Sequence, residues 1–364
     1  MKVFALLLTL VFLLSMGGSA VAQQEPVFEP DSYRGEVLEV EGAEGSDAFG
    51  DVGGLQRAKI RILSGDRQGE TLVIDNHLSG NPAYDLVLSP GDQVLVGFSG
   101  GDVFVMDFVR DRSLFIMAAV FALLLILVAG YRGFRAIVVL GLTGISIVYI
   151  LIPLILSGYS PILVTLMISA LVVSVGLLIL TGFTVKTFAA AGGTVVGVVI
   201  AGLIARYFGD AAHLIGLHSQ EAQMLFYTAD LAIDYRGILF SGMLLGALGA
   251  IMDVCVSVAS SVEEVFRANQ RLSVFSLVRS GVNVGRDVLG TMSNTLILAY
   301  TGGALPLLLL LSANDMGARK MLNLDLIATE VVRALSGSIG LVICVPITAF
   351  IAAYFQVNRR SRLS

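Results

Sequence analysis

The chain has 364 residues, 56% of them hydrophobic and only 14% charged, with 40 glycines and a formal net charge of −5. That balance sets it apart from soluble globular enzymes and points to a protein that crosses the bilayer several times. An acidic net charge without a basic, aromatic-lined groove also argues against nucleic-acid binding.

Residues Met1–Ala22 hold one lysine, an apolar stretch Val3–Leu14 and then Ala20-Val21-Ala22. This is the pattern of a secretory signal peptide cleaved before Gln23, with an apolar stretch too short for a comfortable membrane anchor. From Gln23 to Arg112 the chain reads as an exported soluble domain, with 17 acidic residues against 7 basic ones. Short β-type runs, Arg34–Val40, Ala58–Leu63, Glu70–Ile74, Gln93–Phe98 and Val103–Phe108, alternate with turn signals such as Gly53-Gly54, Ser89-Pro90-Gly91 and Gly100-Gly101. They predict a small β-barrel-like domain of about five strands, OB-like in strand count. Its carboxylates are dispersed without the spacing of a calcium loop, which suits a solvated face.

Residues 113–358 read as a mainly α-helical polytopic membrane domain of about seven transmembrane helices, each near the roughly 20 apolar residues that a crossing needs. The predicted limits are Leu114–Gly130, Ala136–Leu156, Ile162–Leu180, Phe188–Tyr207, Ile238–Val262, Val288–Leu311 and Ala334–Phe355. If the acidic domain is exported, Arg132, Arg135, Lys186, Arg267, Arg271, Arg279 and Arg286 fall on the cytoplasmic side with the basic tail 359–364. The positive-inside rule agrees. Two connections are long. Gly209–Arg236 has the mixed pattern of an interfacial amphipathic helix, and its His213 and His218 are spaced wrongly for a helical metal pair. Glu263–Asp287 reads as a polar, glycine-punctuated cytoplasmic loop.

Asp253 is the only acidic residue near the centre of a predicted span. An intramembrane carboxylate costs about 2.5–3.5 kcal/mol even on insertion scales, so it is a functional-site candidate. Gly242, Gly246, Gly249, Asp253, Ser257, Ser260 and Glu264 recur at spacings of three and four and share one helix face. The pattern predicts a close-packed face with a buried acid, and assigns Leu244, Leu245, Leu248, Ile251 and Met252 to lipid or apolar neighbours. The next span opens with Gly290-Thr291-Met292-Ser293-Asn294-Thr295 after Arg286 and Asp287, unusually polar for a membrane helix. Counted from the inner boundary, Asp253 is roughly 14 Å deep and Asn294 roughly 9 Å. A polar ladder is therefore expected: Asp253, Ser257, Asn294 and Thr291 form a proton, ion or substrate pathway, while Glu264, Arg286 and Asp287 form a cytoplasmic gate or ion pair. The plainer alternative is ordinary hydrogen bonding between helices, worth about 0.6 kcal/mol per contact, which accounts for the hydroxyls better than for Asp253. Gly193 and Gly197, with Ser336 and Gly340, read as helix-packing positions together with Gly242, Gly246 and Gly249.

No zinc-protease motif, phosphate loop or dinucleotide fingerprint occurs, and an aspartyl protease would need a second interior acid. No catalytic residue, cofactor or metal site is predicted. Cys255 and Cys344 fall inside spans and read as small packing residues.

The blocks Gly246-Ala247-Leu248-Gly249-Ala250-Ile251-Met252-Asp253 and Ser280-Gly281-Val282-Asn283-Val284-Gly285-Arg286-Asp287, continuing through Gly290-Thr291-Met292-Ser293-Asn294-Thr295 to Tyr300, resemble the signature blocks of the YibE/F family of bacterial multipass membrane proteins. The resemblance implies a protein of the bacterial cytoplasmic membrane with an exported N-terminal region. The order of acid-bearing glycine-rich helix, charged loop and hydroxyl-rich helix is also similar to the SecD/SecF branch of the RND permeases, where a membrane carboxylate is linked to proton-driven work. The leading expectation is a permease or secondary transporter that binds a proton or cation and a small solute. The alternative is an assembly scaffold that recruits exported or membrane protein partners through its N-terminal domain.

Overall fold

Alternating apolar residues at the start of the chain form five strands: β1 (Asp31–Gly42), β2 (Gly53–Ile62), β3 (Thr71–Ser79), β4 (Gln93–Ser99) and β5 (Asp102–Phe108). The computed structural model describes residues 31–42, 53–228, 233–314 and 316–361, so the expected signal peptide 1–22 and residues 362–364 of the basic tail lie outside the described residues. The strands make one antiparallel sheet in the order β3-β2-β1-β4-β5. β3 and β5 approach each other, which curls the sheet into a nearly closed barrel. Inward residues at every second position, among them Val37, Ala58, Ile60, Ile62, Ile74, Val94 and Val96, fill its core. Gly53 and Gly54, expected in a turn, instead open β2 opposite Ser79 and Leu78, because the β2–β3 ladder runs unbroken from there to Arg61 and Thr71.

The outer surface explains the dispersed acids. Glu36 pairs with Arg61 at 2.6 Å, Glu39 with Lys59 at 3.2 Å and Asp75 with Arg57 at 2.9 Å, each across neighbouring strands. Exposed pairs of this kind contribute at most about 1 kcal/mol each, yet they favour this register over a slipped one. Inside, buried Gln56 accepts from the Leu88 amide at 3.0 Å and donates to the Leu88 carbonyl at 3.3 Å. Asn76 donates to Gln56 at 3.3 Å and to the Leu86 carbonyl at 2.7 Å, so two side chains tie the long 80–92 connection to the sheet.

The chain divides into two units, residues 22–128 and the remainder from 129 onward. The first includes helix α1 (Asp111–Ala129) except its last residue, and Asp111 of that helix forms an ion pair with Arg34 of β1. None of the α1 residues is buried, and its exposed Phe115, Leu124 and Val128 suit contact with lipid.

In the second unit, α2 (Tyr131–Ser146) passes through a π-helical turn at Ile147–Leu151 into α3 (Ile152–Leu156). There follow α4 (Pro161–Thr181), α5 (Val185–Ala211), the short α6 (Gln220–Thr228), α7 (Tyr235–Ala268) and α8 (Val274–Gly303). The last elements are α9 (Leu305–Ala313), α10 (Ala318–Leu322) and α11 (Asp325–Ser361). Among the described residues, six helices are long and apolar enough to cross a membrane, or seven if α8 and α9, bent by 60°, count as one broken span. The expected architecture is therefore the one found.

α4, α5, α7, α8 and α11 surround one hydrophobic core. Small residues make the contact. A Cβ on Gly197 would meet Cys344 at 2.8 Å and Ile251 at 2.9 Å, one on Gly202 would meet Leu244 at 2.9 Å, and one on Gly340 would meet Ala201 at 2.7 Å. Close approach of this kind substitutes dispersion for the hydrophobic drive that lipid does not supply.

Replacing Gln56 by Leu is expected to leave the Leu88 amide and carbonyl buried without partners. We expect a loss of about 1–3 kcal/mol of domain stability, read by urea denaturation followed through limited proteolysis of the 80–92 connection.

Candidate functional site

α7 is 34 residues long, or about 51 Å, so it outreaches a hydrocarbon core of about 30 Å at one or both ends. Asp234 caps its start by accepting from the Gly237 amide at 2.8 Å. Ser273 caps α8 by accepting from the Ser276 amide at 3.2 Å. Only residues 269–273 separate the two helices. Most of the segment expected as a cytoplasmic loop, Glu263–Asp287, is thus a continuous helical hairpin. Its glycines are packing points: a Cβ on Gly281 would meet Val262 at 2.6 Å, and one on Gly285 would meet Val258 at 3.2 Å.

The orientation of α7 reverses the expectation from its sequence. Leu244, Ala247, Ile251, Val254, Cys255, Val258, Ala259 and Val262 are buried, whereas Gly242, Gly246, Gly249, Asp253 and Glu264 are exposed on the chain's own surface. Nothing lies within 4 Å of a Cβ built on Gly242 or Gly249, and one on Gly246 would meet only the Tyr300 side chain, its hydroxyl at 2.6 Å. Asp253 is accordingly not a buried acid within this chain. The physical reason is that α5 and α11 offer hollows for large side chains. Ile251 fills the one at Gly197, Leu244 the one at Gly202, and Thr348 of α11 sits against Gly193.

The two polar rows meet in part. Gly246 lies against Tyr300 and Val258 against Gly285, so Asp253, about midway on α7, is level with about Thr291 on α8. Asn294 is correspondingly nearer Gly249. Both Thr291 and Asn294 are exposed. Hydrogen bonds do not join the rows: Ser257 donates to the Asp253 carbonyl at 2.9 Å and Thr291 to the Val288 carbonyl at 2.9 Å, each within its own helix. Among the described residues the Asp253 carboxylate has no hydrogen-bond or ion-pair partner.

At the hairpin end, Arg267 pairs with Glu263 at 2.9 Å and reaches Glu264 at 3.9 Å, while Arg286 and Asp287 are exposed and form no ion pair among the described residues. The expected Glu264, Arg286 and Asp287 cluster is therefore not assembled in this conformation.

Cys255 and Cys344 are buried free thiols, and Thr348 donates to the Cys255 sulfur at 3.2 Å. Among the described residues, no three His, Cys, Asp or Glu side chains converge as a metal site.

At the opposite end of the bundle, Arg333 of α11 pairs with Glu330 at 2.7 Å, and both are largely shielded, with side chains 26% and 23% exposed. The sequence pattern had assigned neither residue a role. The usable signal was the Glu-x-x-Arg spacing on the helix that enters the last span. His218 is half-buried beside this pair. Burial holds its imidazole below the usual value; Asp325, Glu330 and Glu221 oppose that shift and Arg333 reinforces it.

Two family profiles match the chain: the one described as YibE/F-like protein over residues 117–358, and the one described as YibE/F family N-terminal domain over residues 31–104. No curated protein and no solved structure matches it.

Gly197→Ala is expected to cost about 1–3 kcal/mol through overpacking against Cys344 and Ile251, while Gly249→Ala changes stability by no more than about 0.5 kcal/mol. Thermal unfolding of the two purified variants in detergent checks the contrast. Because the folded pKa of His218 is depressed, its contribution is intact above about pH 6.5 and is lost as pH falls toward the folded value. Acidification from about pH 7 to about pH 5 should lower the melting temperature, and His218→Asn should flatten part of that fall.

Proposed function

The chain belongs to the YibE/F family, and we propose that it is a permease-like integral membrane protein in which Asp253 takes up a proton or binds a cation as α7 and α8 shift against each other. The observation that supports this reading is the Asp253 carboxylate, at mid-helix and level with about Thr291, without a partner among the described residues. A carboxylate kept to hold helices together would be engaged with one. An unengaged one has to be neutralised in the bilayer, and protonation or cation binding does so reversibly. Ser257 and Thr291 satisfy their donors on their own backbones, which leaves their oxygen lone pairs free to accept from a proton carrier or to face a cation. In this reading the barrel is exported and the α7–α8 hairpin, with Arg267, Arg271, Arg279 and Arg286, is cytoplasmic. No enzymatic step is proposed.

A second reading, assembly with another membrane protein, is favoured by one specific feature. Gly242 and Gly249 border open space on either side of Gly246, which is taken by Tyr300, and small residues of this kind admit close approach of a partner helix. A partner on that face would also shield Asp253.

Purified wild-type and Asp253→Asn proteins in liposomes, under an imposed pH gradient, separate the two. The permease reading expects proton uptake that the variant loses while its melting temperature holds or rises, since a mid-span charge has been removed. Equal uptake by both folded proteins, or uptake by neither, refutes it. Co-purification of a partner that Asp253→Asn releases would then carry the assembly reading.

A further inference from the structure

The 60° break between α8 and α9 leaves space at the Tyr235 end of α7. The helix stops at Gly303, where the Ala304 amide turns back to the Tyr300 carbonyl at 3.0 Å, and Pro306 sets α9 off in a new direction. Between this break, the start of α11 and the segment before α6 lies a cavity of about 420 Å³, lined by His218, Gly242, Ala304, Glu330 and Arg333 among others. A second hollow of about 280 Å³, lined by Tyr300, Thr301 and Leu308, shares Ala304 and Glu330 with it. Small-molecule sites commonly measure about 300–1,000 Å³.

The walls hold polar atoms that the chain itself does not satisfy. His218 Nδ1 and the Tyr300 hydroxyl are buried without a hydrogen-bond partner among the described residues. Leaving such atoms unpaired costs about 1–3 kcal/mol each, and water or a ligand in the adjoining space removes that cost. Charge narrows the choice of ligand. Asp325, Glu330 and Glu221 act on His218 together with a single base, Arg333, whose charge is engaged by Glu330. The surplus is acidic, and the imidazole is held neutral by burial, so a ring nitrogen can accept a hydrogen bond without adding positive charge.

We propose that this cavity is a binding site for a small organic cation bearing a protonated amine, whose N–H groups are taken by Glu330 and the His218 ring while its apolar part lies against Ala304 and Leu307. A carboxylate would meet the acidic surplus, and a neutral alcohol would lack the charge. Arg333 keeps Glu330 from being an isolated buried anion when the site is empty. Gly242 is both a wall of this cavity and the last member of the Asp253 row, so a cation bound here sits at one end of the open face of α7. Binding does not require Asp253 to titrate, and the site stands or falls separately from the permease reading.

The test titrates the full-length protein in lipid nanodiscs with n-butylammonium, using n-butyrate and n-butanol as controls of equal size, by calorimetry. We expect saturable binding of n-butylammonium alone, weakened at least tenfold by His218→Phe and by Glu330→Gln. Because Glu330→Gln leaves Arg333 without its partner, Gly242→Phe provides an independent check. Nothing lies within 4 Å of a Cβ there, so the ring enters the cavity without disturbing the core and should abolish binding. Binding of n-butyrate or n-butanol as tight as that of n-butylammonium overturns the proposal, as does no n-butylammonium binding or full retention of it in Gly242→Phe. None of these failures would alter the proton-uptake result expected for Asp253.

Discussion

The close approach of α5 to α7 and α11 governs the rest of the bundle. Gly193, Gly197 and Gly202 leave three hollows along α5, and Thr348, Ile251 with Cys344, and Leu244 occupy them. In lipid, apolar side chains gain nothing from leaving water, so helices adhere where backbones come close enough for dispersion and shape to count. α7 meets that demand with its large residues. Its small and polar residues are left on the other side, and the outward position of Asp253 is thus a consequence of glycines on a different helix.

The same logic sets α8. Gly281 and Gly285 admit Val262 and Val258 of α7, and a Cβ on Gly337 of α11 would meet Leu296 at 3.2 Å. With that side engaged, Gly290, Thr291 and Asn294 remain on the surface beside the Asp253 row. Where α8 breaks at Gly303 the packing opens, and polar groups that would be intolerable against lipid, Glu330, Arg333 and His218, collect around the gap. Two unlike environments result: an acid at mid-helix with no partner among the described residues, and a partly shielded, charge-bearing cavity at one end. Gly242 belongs to both.

The N-terminal unit follows different physics, since its charged outer face suits water rather than lipid. Burial of Ile60, Ile62, Val94 and Val96 drives the sheet to curl, and cross-strand pairs such as Glu36 with Arg61 place acids opposite the few bases. Gln56 is the exception in that apolar interior. It is buried because the 80–92 connection has amides and carbonyls that no strand ladder satisfies.

Sequence alone located the apolar runs of the membrane domain, because about 20 apolar residues are needed to cross lipid whatever the neighbours are, but not where their helices end, since α7 and α8 run on into Glu263–Asp287 and α8 breaks at Gly303. It determined the β-rich character of the N-terminal unit in the same way, through a period of two that needs no tertiary knowledge. It singled out Asp253, since an acid inside an apolar run is visible in one dimension. Which face of α7 packs was decided only by tertiary structure. Gly242 and Gly197 look equivalent as letters, yet one borders open space and the other receives Ile251, because packing depends on whether a partner helix presents a knob at that height. The cavity was hidden for the same reason. His218, Gly242 and Glu330 lie far apart along the chain, and only the break at Gly303 and the docking of α11 bring them to one place.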